Sequence, residues 1–139
     1  REKGGLMENA KYRYFFDSRD TFVMAGRKRS KKQSSNYVVS LDSNDLDRDS
    51  DNCFVKLRSN FSGTEFTFFT ADRDYRRELG AVIYEVNPAG IRGPRRMTVI
   101  IPTFASNGVA EEWLCKDDET PLINEFKSNP SSNRIIVLR

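Results

Sequence analysis

Residues 53–70, CFVKLRSNFSGTEFTFFT, contain the pattern that decides the fold. Two runs rich in β-branched and aromatic residues, 53–58 and 65–70, flank a short polar segment that contains Ser-Gly. Such runs favour strands, and a Ser-Gly step between two of them is typical of a tight hairpin turn. The stretch therefore predicts two antiparallel strands joined by a hairpin.

Similar runs recur along the chain, separated by polar, glycine or proline breaks. They lie at residues 11–16, 21–26, 36–41, 80–86, 97–102 and 134–138. Residues 121–128 have apolar side chains at helical spacing, and the charged segment 72–79 is expected to be an exposed connector. A length of 139 residues suits one packed domain. We therefore expect a single, mainly β domain, with an antiparallel sheet that forms a barrel or a sandwich.

The composition argues against several functional classes. The chain has no histidine, and no triad, Walker loop or paired-carboxylate motif supplies a substitute for this commonest general base. Cys53 and Cys115 are far apart and lack C-x-x-C spacing, which predicts reduced thiols without a zinc site or a disulfide framework. We expect no catalytic residues, no cofactor and no metal.

Membrane-spanning and secreted proteins are also not expected. No apolar run approaches the length of a spanning helix, and the first ten residues lack the apolar core of a signal peptide. The sequence therefore predicts a cytosolic or nuclear protein.

Charge is distributed in blocks, although the net charge is only +3. Residues 1–41 contain ten Lys and Arg against four Asp and Glu, whereas 42–53 contain one against five and 111–119 one against five. This segregation suits one positive face and a phosphate-rich partner. Residues 42–51 lack the glycine and glutamate positions of a calcium-binding EF-hand loop, so we expect a solvated acidic turn.

Lys56 and Arg58 form the first candidate binding site. Alternate residues of a strand share a face, so the two side chains stand roughly 6.5 to 7 Å apart. Two cations at that separation can hold two phosphates of one ligand, with lysine as a compact charge and arginine as a fork. An ordinary solvated strand face is the alternative that the spacing leaves open.

The segment RKRSKK, residues 27–32, is a second candidate. Its five cations are Arg27, Lys28, Arg29, Lys31 and Lys32. As a loop between strands, it could be a nuclear import signal, a nucleic-acid contact, a polybasic patch for anionic lipid, or simply a solvated loop.

The segment GIRGPRRMTVIIP, residues 90–102, is a third candidate. A turn containing glycine and proline holds Arg92, Arg95 and Arg96 at the mouth of an apolar strand. These arginines could complete a site begun by Lys56 and Arg58, or one of them could pair with Glu85 or an acidic loop.

Four blocks together resemble the carboxy-terminal domain of tubby and tubby-like proteins. In order they are SNYVVSLDSNDLDR, FVKLRSNFSGTEFT, ELGAVIYEVN and GIRGPRRMTVIIP, and DETPLINEFKSN resembles the helix-like segment that follows. The resemblance implies a tubby-type antiparallel β-barrel, closed around a central hydrophobic helix. This chain stops where the family domain is roughly half complete, so we expect residues 1–139 to be a partial domain without that helix.

The resemblance also implies a ligand. The family binds phosphoinositides, with a preference for phosphatidylinositol 4,5-bisphosphate, and the residues that match its headgroup site are Asn36, Lys56 and Arg58. Arg95 and Arg96, with Arg92 beside them, match basic positions near the same pocket. The resemblance thus favours a binding role for the Lys56 and Arg58 pair.

The expected function is that of a non-enzymatic adaptor at the cytoplasmic face of the plasma membrane. The resemblance implies partners that include phosphoinositide headgroups, membrane-receptor cargo and trafficking complexes, with possible locations in the cilium and nucleus. A nucleic-acid-binding, transcription-linked module that uses the basic loops is the alternative. A lipid-headgroup hydrolase is a third hypothesis, for which the sequence indicates no catalytic residues.

Overall fold

The computed structural model describes residues 10–16, 21–29, 35–72, 74–86, 96–114 and 119–139. Within these ranges the chain forms one eight-stranded antiparallel sheet and one short helix. The strands are β1 (Lys11–Phe16), β2 (Thr21–Lys28), β3 (Asn36–Ser40), β4 (Cys53–Ser59), β5 (Glu65–Thr70), β6 (Glu78–Tyr84), β7 (Met97–Pro102) and β8 (Ile135–Leu138). Helix α1 (Leu122–Ser128) lies between β7 and β8 in the chain, and no helix in the described ranges is long and apolar enough to cross a membrane.

Each strand pairs with its neighbours in sequence, so the sheet is a simple meander from β1 to β8. The sheet is not closed within the described residues: β1 and β8 are its two edges. The predicted antiparallel β fold is confirmed, as are all eight strands and the helix, each within two residues of its predicted bounds. The charged segment 72–79 differs from the prediction at its end, where Glu78 is buried and already belongs to β6.

The two faces of the sheet carry different side chains. On one face, which we call the helix face, Ala81 lies opposite Ile100, which lies opposite Val137 in the next strand. These side chains pack against α1 and Trp113 to form the main core. The other face, the open face, holds a cavity of about 250 Å³. Its lining is apolar and aromatic: Tyr37, Leu57, Phe66, Phe68, Val82 and Tyr84.

The meander also gives the sheet two distinct ends, because successive antiparallel connections alternate between them. At the end that we call the hairpin end, β2 meets β3, β4 meets β5, and β6 meets β7. The connections from β3 to β4, from β5 to β6 and from β7 to β8 lie at the opposite end, the acidic end. Outside α1, the acidic side chains that the structure describes in those connections are Asp42, Asp45, Asp47, Asp49, Asp51, Asp72, Asp74, Glu111, Glu112 and Glu119.

Glu78 is a carboxyl group buried in the core, with only 7% of the residue exposed. It accepts a hydrogen bond at 2.9 Å from the backbone N–H of Leu122, the first residue of α1. The start of α1 has no side-chain cap of its own, so Glu78 satisfies one of the N–H groups that a helix leaves unpaired. Burial raises the pKa of Glu78, and this effect outweighs the opposing hydrogen bond from Leu122 and the charge of Arg76.

The raised pKa predicts a pH-dependent stability difference between the native chain and Glu78→Gln, which keeps an acceptor for the Leu122 N–H. Because ionisation of the buried carboxyl is unfavourable, its stabilising contribution is complete below the ordinary pKa of 4.5 and is lost as pH rises through the raised value. We expect urea denaturation to show the native chain losing stability relative to Glu78→Gln as the pH rises above the ordinary value of 4.5. A difference that stays constant as the pH rises would contradict the raised pKa.

A companion variant separates the charge from the hydrogen bond. Glu78→Leu removes the acceptor and leaves the Leu122 N–H buried without a partner. This change should lower the free energy of unfolding by about 1–3 kcal/mol even at low pH, where the native carboxyl is protonated.

Candidate anion-binding cleft

The register of β3 against β4 brings the three predicted headgroup residues together. Asn36 lies directly opposite Arg58, and Val38 lies opposite Lys56. Paired residues of an antiparallel sheet share a face, so Asn36, Lys56 and Arg58 all belong to the helix face. The structure therefore places the predicted set on one surface, beside the region that α1 covers.

Contacts with neighbouring groups hold the two predicted cations in place. The Arg58 guanidinium carbon lies 5.6 Å from the ring centroid of Phe69, and the corresponding carbon of Arg76 lies 4.8 Å from the same ring. Lys56 Nζ donates a hydrogen bond at 2.6 Å to the carbonyl oxygen of Ala71. These cation–π and hydrogen-bond contacts restrict both side chains on the strand.

A narrow cleft lies between these side chains. The described residues that line it are Arg29, Asn36, Tyr37, Val38, Arg48, Lys56, Leu57 and Arg58. Four of these residues are cationic and none is acidic, which favours an anion. The enclosed volume is about 10 Å³, room for one water molecule and too small to enclose a phosphate group. Among the lining cations, Arg48 and Arg58 are exposed, which makes them accessible from solvent at the mouth of the cleft.

Arg48 is a cleft residue that the sequence analysis missed. It lies in the connection between β3 and β4, within the segment predicted to be only a solvated acidic turn. Leu46 is buried in that connection, and its carbonyl oxygen accepts a hydrogen bond from Arg27 Nη2 at 3.0 Å. These two contacts fix the connection against the helix face, and Arg48 reaches the cleft as a result.

The aspartates around Arg48 serve the connection itself. Side-chain oxygens of Asp42, Asp45 and Asp47 each accept the backbone N–H of the residue two positions later, at 2.8–3.2 Å. Hydrogen bonds from Ser50 and Asn52, and then the Asp47 N–H, hold the pKa of Asp45 below its usual value. The described residues include no group of three or more acidic or cysteine side chains placed to hold a metal ion.

Residues 27–32, predicted as a polybasic loop, are only partly loop: the first two belong to β2, and the third lines the cleft. Strand β2 runs two residues further than predicted, so Arg27 and Lys28 are strand residues and not loop residues. They pair with Val38 and Tyr37, and Arg27 anchors the Leu46 carbonyl. Arg29 lines the cleft, and its backbone N–H donates to the backbone carbonyl oxygen of Asn36 at 2.7 Å. Lys31 and Lys32 lie outside the described residues.

Arg96, the arginine of the third basic segment that the structure describes, lies on a different part of the sheet from the cleft. Arg96 is exposed just before β7, and its carbonyl oxygen accepts the N–H of Glu85 at 3.0 Å. Strand β7 is the third strand from β4, about 14 Å away at ordinary strand spacing, and Arg96 does not line the cleft. Arg92 and Arg95 lie outside the described residues.

Cys53 is a free, buried thiol, as predicted. Burial raises its pKa, which disfavours the reactive thiolate. Cys115 lies outside the described residues.

Comparison with known proteins identifies the family. A family model described as the Tub family matches residues 1–139. The chain is 45% identical to Tubby-related protein 1 of Homo sapiens over 148 residues, covering 86% of this chain and 27% of the relative. The chain is 48% identical to Tubby-related protein 2 of Homo sapiens, and the match covers 87% of this chain and 26% of the relative. It is 37% identical to Protein king tubby 1 of Aedes aegypti, and the match covers 81% of this chain and 28% of the relative.

The chain spans about a quarter of the length of these curated relatives. The match to the family model extends over the full chain, and the three identities are spread over more than four-fifths of it. With its antiparallel sheet and the blocks of sequence that resemble tubby proteins, this chain belongs to the Tub family.

Proposed function

We propose that this chain binds a phosphoinositide headgroup, with phosphatidylinositol 4,5-bisphosphate as the preferred lipid, at the mouth of the cleft. The observation that carries the proposal is the β3–β4 register, which places Asn36 opposite Arg58 and beside Lys56 on one face. Family membership supports the choice of ligand, because the same three positions match the headgroup site that the resemblance implies.

The chemistry of the three side chains suits two adjacent ring phosphates. Lys56 offers a compact ammonium that can be shared between neighbouring phosphate groups, and Arg58 offers a planar fork for two oxygens of one phosphate. The Asn36 amide can donate to a phosphate oxygen and accept from a ring hydroxyl. Selectivity would then depend on the spacing of these donors as well as on total charge.

Arg48 and Arg29 extend the same positive surface. Both line the cleft, from the β3–β4 connection and the end of β2 respectively. We include Arg48 among the headgroup contacts because it is exposed at the mouth, where a phosphate must bind. Further cations near the hairpin end add general attraction to anionic lipid, about 1 kcal/mol for each Lys or Arg close to the surface.

The cellular role in this proposal is that of a tether at the cytoplasmic face of the plasma membrane. Transport of membrane-receptor cargo toward the cilium, and release to the nucleus when the lipid is hydrolysed, extend the proposal to the whole protein. Their support is the resemblance to tubby-like adaptors.

The nucleic-acid alternative has less support from the described residues. Helix α1 is the only helix among them, and Lys127 is its single cation, so it offers no basic recognition surface. Phe69, whose ring contacts Arg58 and Arg76, is buried and is not available to stack on a base.

The double variant Lys56→Ala/Arg58→Ala tests the cleft. Loss of two charge-assisted contacts should weaken binding to liposomes containing phosphatidylinositol 4,5-bisphosphate by about 10- to 100-fold and remove the preference over charge-matched phosphatidylserine liposomes. Liposome co-sedimentation measures both quantities, and circular dichroism checks that the fold is intact.

A matched control is Lys127→Ala/Arg139→Ala, which removes the same charge from exposed positions outside the cleft. The exposed pair between Lys127 and Glu65 contributes little to stability, so the control should fold normally. Equal losses in the two double variants, or unchanged preference in the cleft variant, would overturn the site assignment.

Asn36→Ala tests the site without any change of charge. Removal of a neutral hydrogen-bonding group should weaken binding of the phosphoinositide liposomes by about 3- to 10-fold. Binding to phosphatidylserine liposomes should stay unchanged, since that binding responds to charge. A parallel loss on both lipids would show that Asn36 supports the fold and not headgroup recognition.

Arg48→Ala tests the contact that only the structure reveals. We expect about a 5- to 20-fold loss of affinity for the phosphoinositide liposomes, because a bidentate charged contact disappears from the mouth of the cleft. The single variant Arg139→Ala removes one charge elsewhere and gives the reference value. If the two variants bind equally, Arg48 is not a headgroup contact.

A further inference from the structure

Phe61 is a large apolar side chain that the fold exposes to solvent. It lies in the turn between β4 and β5, at the hairpin end of the sheet, and 79% of the residue is exposed. Nearby on the same end, Val86 is 75% exposed just beyond the end of β6, and Met97 is exposed at the start of β7. Exposed apolar side chains on one end of a molecule mark an interaction surface when their surroundings suit a partner.

The turn that carries Phe61 is rigid. The Asn60 side-chain oxygen accepts the backbone N–H groups of Thr64 and Glu65 at 3.0 and 3.2 Å, and Asn60 Nδ2 donates to Thr64 Oγ1 at 3.1 Å. Gly63 has a φ of 67°, in the left-handed region that favours glycine. The fold therefore fixes the backbone on both sides of Phe61 while leaving the ring in water.

The position of Phe61 relative to the cleft is set by the strand. Arg58 lies three residues earlier, so Phe61 reaches at most about 10 Å beyond it along β4. Apolar side chains of proteins that lie in a membrane interface enter the boundary of headgroups and acyl chains by about 5–10 Å. A headgroup held at Arg58 and an aromatic ring in that boundary are therefore compatible in distance.

Charge distinguishes this end from the opposite one. Exposed apolar residues also occur at the acidic end, where Tyr75 is 59% exposed, but acidic side chains outnumber basic ones in the connections that the structure describes there. At the hairpin end the described cations Arg29, Arg58 and Arg96 outnumber the two described glutamates, one of which is paired with Lys127. Exposed apolar groups flanked by cations suit an anionic lipid surface, whereas the acidic end would be repelled by it.

From this combination we infer that Phe61 inserts into the interfacial region of an anionic bilayer while the cleft holds a headgroup of the same membrane. This inference rests on the proposed function and adds a second, apolar contact to it. The hairpin acts as the membrane-facing tip, and Val86 and Met97 lie on the same side of the molecule.

The test compares Phe61→Ser with Tyr75→Ser, a matched aromatic change at the acidic end. Vesicles of phosphatidylcholine containing phosphatidylinositol 4,5-bisphosphate measure membrane binding, and soluble inositol 1,4,5-trisphosphate measures the cleft alone. Phe61→Ser should bind the vesicles about tenfold more weakly and the soluble headgroup as tightly as the native chain. Tyr75→Ser should leave both affinities unchanged.

A fluorescent variant reports insertion directly. Phe61→Trp preserves an aromatic ring, and tryptophan is favoured at membrane interfaces. Its emission should shift to shorter wavelength on vesicles and stay unchanged with soluble inositol 1,4,5-trisphosphate. Trp113 is 2% exposed in the core and contributes a constant background.

The outcomes separate this inference from the headgroup proposal. Native vesicle affinity in Phe61→Ser, or an unshifted emission for membrane-bound Phe61→Trp, would overturn the inference and leave headgroup binding standing. A loss of soluble-headgroup binding in Phe61→Ser would also overturn it, because Phe61 would then act through the cleft. The native chain could fail to bind the soluble headgroup while the emission of Phe61→Trp still shifts on phosphatidylserine vesicles. That result would support insertion and contradict the headgroup proposal.

Discussion

Asn36 lies opposite Arg58 because the register between β3 and β4 is held at the hairpin end. At the hairpin end, Ser35 and Ser59 exchange two hydrogen bonds: the Ser35 N–H donates to Ser59 Oγ at 2.8 Å, and the Ser59 N–H donates to the Ser35 carbonyl oxygen at 2.9 Å. Toward the acidic end the register shifts by one residue between Val39 and Ser40, and beyond that shift the Leu41 N–H donates to the Asn52 carbonyl oxygen at 3.0 Å. A slip of one residue would move a whole row of side chains to the other face, so the cleft depends on the contacts at the hairpin end.

The helix face joins a packed core and a charged cleft on one continuous surface. Arg58 lies opposite Thr67, and Thr67 opposite Ala81, so the row that contains this cleft residue leads directly to the core beneath α1. Charged groups that lie beside apolar ones lose part of their hydration, which is unfavourable. The ring of Phe69 offsets this loss through its cation–π contacts with Arg58 and Arg76. The same sheet thus provides a rigid base for the cleft.

The strands were predictable because their signal is local, whereas the cleft was predictable only in part. Lys56 and Arg58 share a face by simple alternation, but Arg48 joins them through a connection whose path depends on the buried Leu46 and the Arg27 hydrogen bond. Nothing in the composition of residues 42–51 indicates that path. Glu78 was missed for a similar reason: its charged neighbours in sequence suggest exposure, while its partner, the Leu122 N–H, lies 44 residues away.

The alternation of charge along the chain becomes a difference between two ends of the molecule. A meander sends each connection to the end opposite the previous one. The strands that flank the basic segments 27–32 and 90–96 meet at the hairpin end, and those that flank the acidic segments 42–51 and 111–119 meet at the other. A small net charge therefore conceals a strong polarity, which would orient the sheet on an anionic surface before any specific contact forms.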